Sequence, residues 1–161
     1  MPWLSFFIFL LTTLQILGHE QLTSPEETNE LLQEIKEYAI VLGDGEKEVH
    51  SFIDPKCSMS QRYLQYLFKR EKQMFGRYKI YLYLYELKRK NSKNIIRNIF
   101  DSEYPNILLK AFMVSKLSGL EYLEEELDDP DIDSQIEAIE EVAREIGVYK
   151  RPYIITNGRG K

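Results

Sequence analysis

Leu31, Leu32, Ile35 and Tyr38 recur at helical spacing between charged and polar residues, which predicts a helix with one apolar stripe on a surface or linker segment. Its start is marked upstream. Ser24 is a capping residue, Pro25 suits a first helical turn, and Glu27 completes a capping box. The stretch "YAIVLGDGEKEVHSFID" then shows two apolar runs broken at Gly43, Asp44 and Gly45, a pattern that predicts two strands joined as a hairpin. Helical spacing returns between Ser58 and Met74, where Tyr63, Leu64, Leu67 and Phe68 form a stripe, and Gly76 is the predicted stop.

In "RYKIYLYLYEL" both alternating sets are apolar, Ile80, Leu82 and Leu84 against Tyr81, Tyr83 and Tyr85, as in a strand covered on both faces. Strand, helix, strand with about 20 residues between the strands is a βαβ unit, so the two strands are expected to run parallel. Residues 93 to 127 read as a helical insert broken at Pro105 and near Gly119. A last helix, "SQIEAIEEVAREIG", has a capping box at Ser134 and Glu137 and a stop at Gly147, and the short strand "PYIIT" and the turn "NG" follow it. No internal repeat or low-complexity linker interrupts this order, and the eleven tyrosines read as core and strand residues.

Before the first helix lies "MPWLSFFIFLLTTLQILGHE", apolar and uncharged from Trp3 to Leu17. As a helix that run spans only about 22 Å, short of a hydrocarbon core of about 30 Å. Residues 1–18 are therefore read as a signal peptide cleaved near Gly18, with an uncleaved anchor or a buried helix as the other readings, since no Lys or Arg precedes the run. Export to a periplasmic or other external compartment is the expectation. Residues 19–37 form the N-terminal helical segment and 38–161 one domain, for which 43% apolar residues are sufficient. With a net charge of -5 and a pI near 5.2, broad binding to nucleic-acid phosphates is not expected.

Candidate chemistry is sparse. No Cys/His group has zinc-ligand spacing, and His19 and His50 read as isolated surface or turn residues, so neither a metal nor a cofactor is expected. The acidic run from Asp129 puts carboxylates at loop positions 1, 3, 5 and 12 of a calcium-loop pattern, but Ser134 stands where glycine is needed, which favours an acidic helix start. "KRKNSK", Lys88 to Lys93, reads as a solvated strand end and loop. That leaves Cys57, the single cysteine, at the junction of the second strand and the helix after it. Unpaired N–H groups of a first helical turn and the helix dipole favour a thiolate there, and Lys56 and Arg62 add positive potential.

"FIDPKC" at the strand-to-cysteine junction, the apolar runs before it, and "IGVYKRPYIITNG" near the end resemble the thioredoxin-fold catalytic domain of periplasmic disulfide isomerases of the DsbC and DsbG type, over about Tyr38 to Gly158. The resemblance implies an α/β, thioredoxin-like three-layer fold with a helical insertion. It also implies that Cys57 is the exposed nucleophile, that Pro152 is the proline after a cis peptide bond beside the sulfur, and that the backbone of Arg151 pairs with an extended substrate.

This sequence departs from that family at three places. Ser60 occupies the second position of the Cys-x-x-Cys motif, no separate dimerisation domain precedes the hairpin, and the family's closing C-terminal strand and helix are expected to be missing after "NG". The function read from the sequence is thiol-disulfide exchange by a monothiol that forms mixed disulfides, with an external thiol as the resolving partner. A noncatalytic peptide-binding module and a truncated remnant are the alternatives. Cys57 itself is open to reading as a buried core residue or as a site that keeps the geometry without redox chemistry. Ser60 is open to two roles, a hydrogen bond to the thiolate or a helix-surface position, and Arg151 to contact with an acidic substrate or simple solvation.

Overall fold

The computed structural model describes residues 21–161; the apolar leader and His19 lie outside the described residues. Helix α1 (Pro25–Glu34) begins with the expected capping box: Ser24 Oγ accepts from the Glu27 amide and the Glu27 carboxylate accepts from the Ser24 amide. A short 3-10 turn, Lys36–Tyr38, carries the chain into strand β1 (Ile40–Leu42). Strand β2 (Lys47–Ile53) runs into α2 (Ser58–Lys69), α3 (Glu71–Arg77) and β3 (Tyr78–Leu84). The insert contains α4 (Lys93–Asp101) and α5 (Pro105–Lys110), and α6 (Pro130–Ile146) leads to β4 (Tyr153–Thr156) and β5 (Arg159–Gly160).

These strands form one five-stranded sheet in the order β1-β3-β2-β4-β5. Strands β2 and β3 are parallel, in register from Lys47 opposite Tyr78 to Ile53 opposite Leu84, as the strand–helix–strand order requires. All other pairings are antiparallel. The two apolar sets of β3 face opposite ways. Ile80, Leu82 and Leu84 pack with Val49 and Ile53 beneath Leu64 and Leu67 of α2 and Ile95, Ile96 and Ile99 of α4. Tyr81 and Tyr83 join Phe52, Tyr153 and Ile155 beneath Leu32 and Ile35 at the end of α1 and Ile139, Val142, Ala143 and Ile146 of α6. Helices thus cover both faces, and the fold is thioredoxin-like. Fully burying an aromatic such as Phe52 or Tyr83 contributes about 1.5–3 kcal/mol.

Four details depart from the sequence expectation. Strands β1 and β2 do not form a hairpin, because β3 lies between them and pairs with both. The glycines that suggested a tight turn instead let the chain lie on the α3–β3 junction: Gly45 donates its amide to the carbonyls of Phe75 and Tyr78, and a Cβ on Gly45 would stand 2.1 Å from the Arg77 carbonyl carbon. Second, the helix after Cys57 breaks at Arg70, whose φ of -118° leaves the helical region, and Gly76 lies inside α3.

The third departure is at α6, which starts four residues before the predicted cap. Asp129 accepts from the amides of Asp131 and Ile132, while Ser134 Oγ donates back to the Pro130 carbonyl. The run that resembles a calcium loop is therefore helix from Pro130 onward, and the Asp133 carboxylate is held by Arg97 through paired bonds of 2.7 Å. Last, the "NG" turn leads into a strand where none was expected, two-residue β5, which pairs with β4. Gln21 secures that hairpin from the other end of the described chain, donating to the Gly158 carbonyl and accepting from the Gly160 amide.

Candidate thiol site

Strand β2 ends at Ile53, and the next four residues turn the chain into α2. The Cys57 amide donates to the Asp54 carbonyl at 3.0 Å, and Gln61 returns its amide to the Cys57 carbonyl at 2.9 Å. Cys57 therefore occupies the N-cap of α2 with extended backbone angles (φ -81°, ψ 120°), and its side chain makes no capping bond. Its Sγ instead donates to the Arg151 carbonyl at 3.7 Å. The peptide bond between Arg151 and Pro152 is cis. The structure thus brings Cys57, Arg151 and Pro152 together from the two ends of the domain. Cys57 is only 8% exposed, however, so the sulfur is more enclosed than an exposed nucleophile.

Ser60, one turn into α2, is fully buried, which sets aside the helix-surface reading. Its Oγ accepts from the Asp54 amide at 3.2 Å, so its partner is the strand-to-helix turn and not the sulfur. The Asp54 side chain goes further. Fully buried, it accepts from the Lys56 amide at 2.8 Å, from Ser92 Oγ at 2.9 Å and from the Leu87 amide. One carboxylate thereby ties the loop that presents Cys57 to the loop after β3. Glu86 continues the tie by accepting from the amides of Ser92 and Lys93 at the start of α4, where no side-chain cap is present. Sequence reading used Asp54 only as part of the motif. An acidic residue between Ile53 and Pro55 at the end of an apolar strand was the available signal that it is buried and bonded.

Arg151 is not solvated. It is 8% exposed, its guanidinium lies 3.6 Å over the Tyr85 ring centre, and Nη1 donates to the Lys150 carbonyl. Its Nε is buried without a hydrogen-bond partner. Burial lowers the Arg151 pKa to about 10, against the opposing pull of Tyr85, Asp54, Cys57 and Glu140. Lys56, expected to add positive potential at the sulfur, pairs with Glu124 at 3.0 Å.

His50 is also misplaced by the sequence reading. It lies 6% exposed within β2, stacked on Tyr81 at 4.9 Å, with Nδ1 2.9 Å from the Tyr83 hydroxyl and Nε2 3.7 Å from Glu48. Burial is the main cause of its pKa falling to about 4, partly offset by Glu48. Lys36 and Tyr81 both donate to the Glu48 carboxylate. This polar group sits in the first half of β2, whereas Cys57 follows the strand's far end, so His50 does not belong to the thiol site. Among the described residues no cluster of three His, Cys, Asp or Glu side chains could hold a metal, and no helix is long and apolar enough to cross a membrane.

No protein-family model and no curated protein matches the sequence. Solved structures do match the fold. ScsC from Proteus mirabilis in a compact conformation superposes with a TM-score of 0.62 at 12% identity, over 88% of this chain and 81% of that one. A periplasmic thioredoxin-like protein from Salmonella enterica serovar Typhimurium gives 0.63 at 15% identity, over 83% and 86% of the two chains. Oxidised BdbD from Bacillus subtilis gives 0.59 at 19% identity, over 78% and 84%.

Proposed function

We propose that this chain is an exported thiol-disulfide exchange protein that acts through the single thiol of Cys57. The observation that carries the reading is the contact of Cys57 Sγ with the carbonyl of Arg151, the residue before cis Pro152. A sulfur at the start of a helix, beside backbone that an extended peptide can join as an added strand, has both a nucleophile and a place to hold the disulfide it attacks. In the exchange, Cys57 loses its proton to water and its sulfur attacks one sulfur of a substrate disulfide. The substrate S–S bond breaks, a Cys57–substrate disulfide forms, and the other half leaves as a thiolate that takes up a proton. Cys57 is oxidised and the departing sulfur is reduced. Because Ser60 offers no second thiol, an external thiol must release the adduct, and the covalent intermediate persists until one arrives.

The test is mass spectrometry of the purified chain after incubation with a small disulfide. An adduct that dithiothreitol removes and that Cys57→Ala abolishes is the expected result; an unmodified native protein overturns the reading. The enclosure of Cys57 favours a second reading, a noncatalytic module that holds an extended peptide along the Arg151 backbone. In that case Cys57→Ser keeps peptide binding at full strength and no adduct forms with the unaltered chain.

A further inference from the structure

At Arg151, the segment after β3 and the segment before Pro152 form the walls of a cleft of about 340 Å³, lined among others by Tyr85, Lys88, Arg89, Tyr149 and Arg151. Three of these side chains are cationic in a chain whose net charge is -5. Glu86 also lines the cleft, but its carboxylate accepts from the amides of Ser92 and Lys93. Among the described residues no ion pair involves Lys88, Arg89 or Arg151.

Arg151 is the decisive member. An arginine more than nine-tenths buried is ordinarily paired with a carboxylate, since removing its charge from water is costly. Here it has an aromatic ring and one carbonyl, the Asp54 and Glu140 carboxylates act on it only from beyond ion-pair distance, and its Nε has no partner. The same residue's carbonyl touches Cys57 Sγ, so the guanidinium belongs to the residue whose backbone meets the sulfur. Guanidinium forks match carboxylates in shape, and a cleft of this size is at the small end of small-molecule sites.

We infer that this cleft binds a carboxylate carried on the disulfide that Cys57 attacks, with Arg151 as its partner and Lys88 and Arg89 at the rim drawing it in. The inference rests on the thiol-exchange reading and adds the substrate's charge to it. The carboxylate can come from a small acidic thiol or from an acidic residue beside the cysteine of an extended peptide. In either case Cys57 Sγ bonds to the near sulfur, the far sulfur leaves as a thiolate and is protonated by water, and the carboxylate stays ionised throughout.

Rates of adduct formation at low ionic strength test it, with oxidised glutathione as the anionic probe and 2-hydroxyethyl disulfide as the neutral one. A further pair of peptide disulfides differs only by Glu or Gln next to the cysteine. Lys88 and Arg89 are exposed, so K88Q/R89Q keeps the fold, which a thermal melt checks. The double variant is expected to slow the anionic probe about tenfold, the scale of charge steering, while leaving the neutral probe unchanged. Loss confined to glutathione assigns the carboxylate to a small thiol, and loss confined to the Glu peptide assigns it to a peptide; both support the cleft. Equal slowing of the neutral and anionic probes, or no slowing of either, overturns the inference and leaves thiol exchange standing. If the unaltered protein captures no probe at all, the thiol-exchange reading falls and this inference falls with it.

Discussion

Ser60 Oγ accepts the backbone amide of Asp54 at 3.2 Å, so the residue in the place of a second thiol braces the turn that presents the first. Ser60→Ala leaves that buried amide without an acceptor, at a cost of about 1–3 kcal/mol in a denaturant titration. Ser60→Cys has a different consequence. It restores a Cys-x-x-Cys spacing, and the expected result is that a Cys57 adduct, stable on a nonreducing gel in the unaltered chain, disappears as an internal disulfide displaces it. An adduct equally long-lived in both proteins counts against the exchange chemistry.

Asp54 holds the two loops of the site together through its bonds to Lys56, Leu87 and Ser92. Asp54→Ala strands all three donors around a fully buried position, the Ser92 hydroxyl most deeply. A loss of about 3 kcal/mol or more is expected, near the upper end of single-substitution effects. For a chain of this size each kcal/mol lowers Tm by about 2–4 °C, so calorimetry reads the change directly. Ser92→Ala removes one donor and not the acceptor, and is expected to cost about 1 kcal/mol. If Asp54→Ala melts no lower than Ser92→Ala, the carboxylate is not the tie described.

His50 gives the fold a defined pH response. Its folded pKa, about 4, lies below the ordinary value of 6.5, mainly through burial. A neutral His50 in the native state therefore stabilises the fold fully above about pH 6.5. As pH falls, the unfolded chain takes up the proton first, and this contribution is lost progressively until about pH 4, where the folded ring also titrates. The whole effect is on the order of 3 kcal/mol. Between pH 6.5 and 5 most carboxylates remain ionised, so the slope there belongs to the histidine. Urea midpoints of His50→Gln are expected to vary less across that window than those of the unaltered chain; parallel curves would place the titrating group elsewhere.

The layers and the parallel pair were legible because they follow from periodicity. Both apolar sets of β3 announced a strand covered on two faces, and α1 showed its cap as well as its stripe. Sheet order was not legible. Gly43 to Gly45 joins two strands whether they pair with each other or admit a third between them, and only the contact of Gly45 with the α3–β3 junction decides. The meeting of Cys57 with Arg151 and Pro152 came from a resemblance in motif, since local spacing says nothing about residues so far apart in the chain. Burial of His50, Asp54 and Arg151 escaped notice for a shared reason. Polar residues are read as exposed until their partners are known, and those partners, Tyr83, Ser92 and Tyr85, lie on other elements.

Two glycines near the α3–β3 junction separate close approach from helix propensity. At Gly45 a Cβ would meet backbone atoms of Arg77 and Tyr78 at 2.1 to 2.5 Å, and backbone cannot swing aside as a side-chain tip can. Gly45→Ala must push the β1–β2 connection off that junction and disturb its bonds to Phe75 and Tyr78, a loss of about 1–3 kcal/mol or more. Gly76, inside α3, has nothing within 4 Å of its Cβ position. There alanine meets no obstacle and lowers the entropy lost on forming the helix, so Gly76→Ala is expected to stabilise by about 0.5–1 kcal/mol. The two variants should therefore shift the thermal midpoint in opposite directions. A fall in both melts would mean that α3 does not continue through Gly76, and with it the start of β3 beside the Gly45 crossing would have to be redrawn.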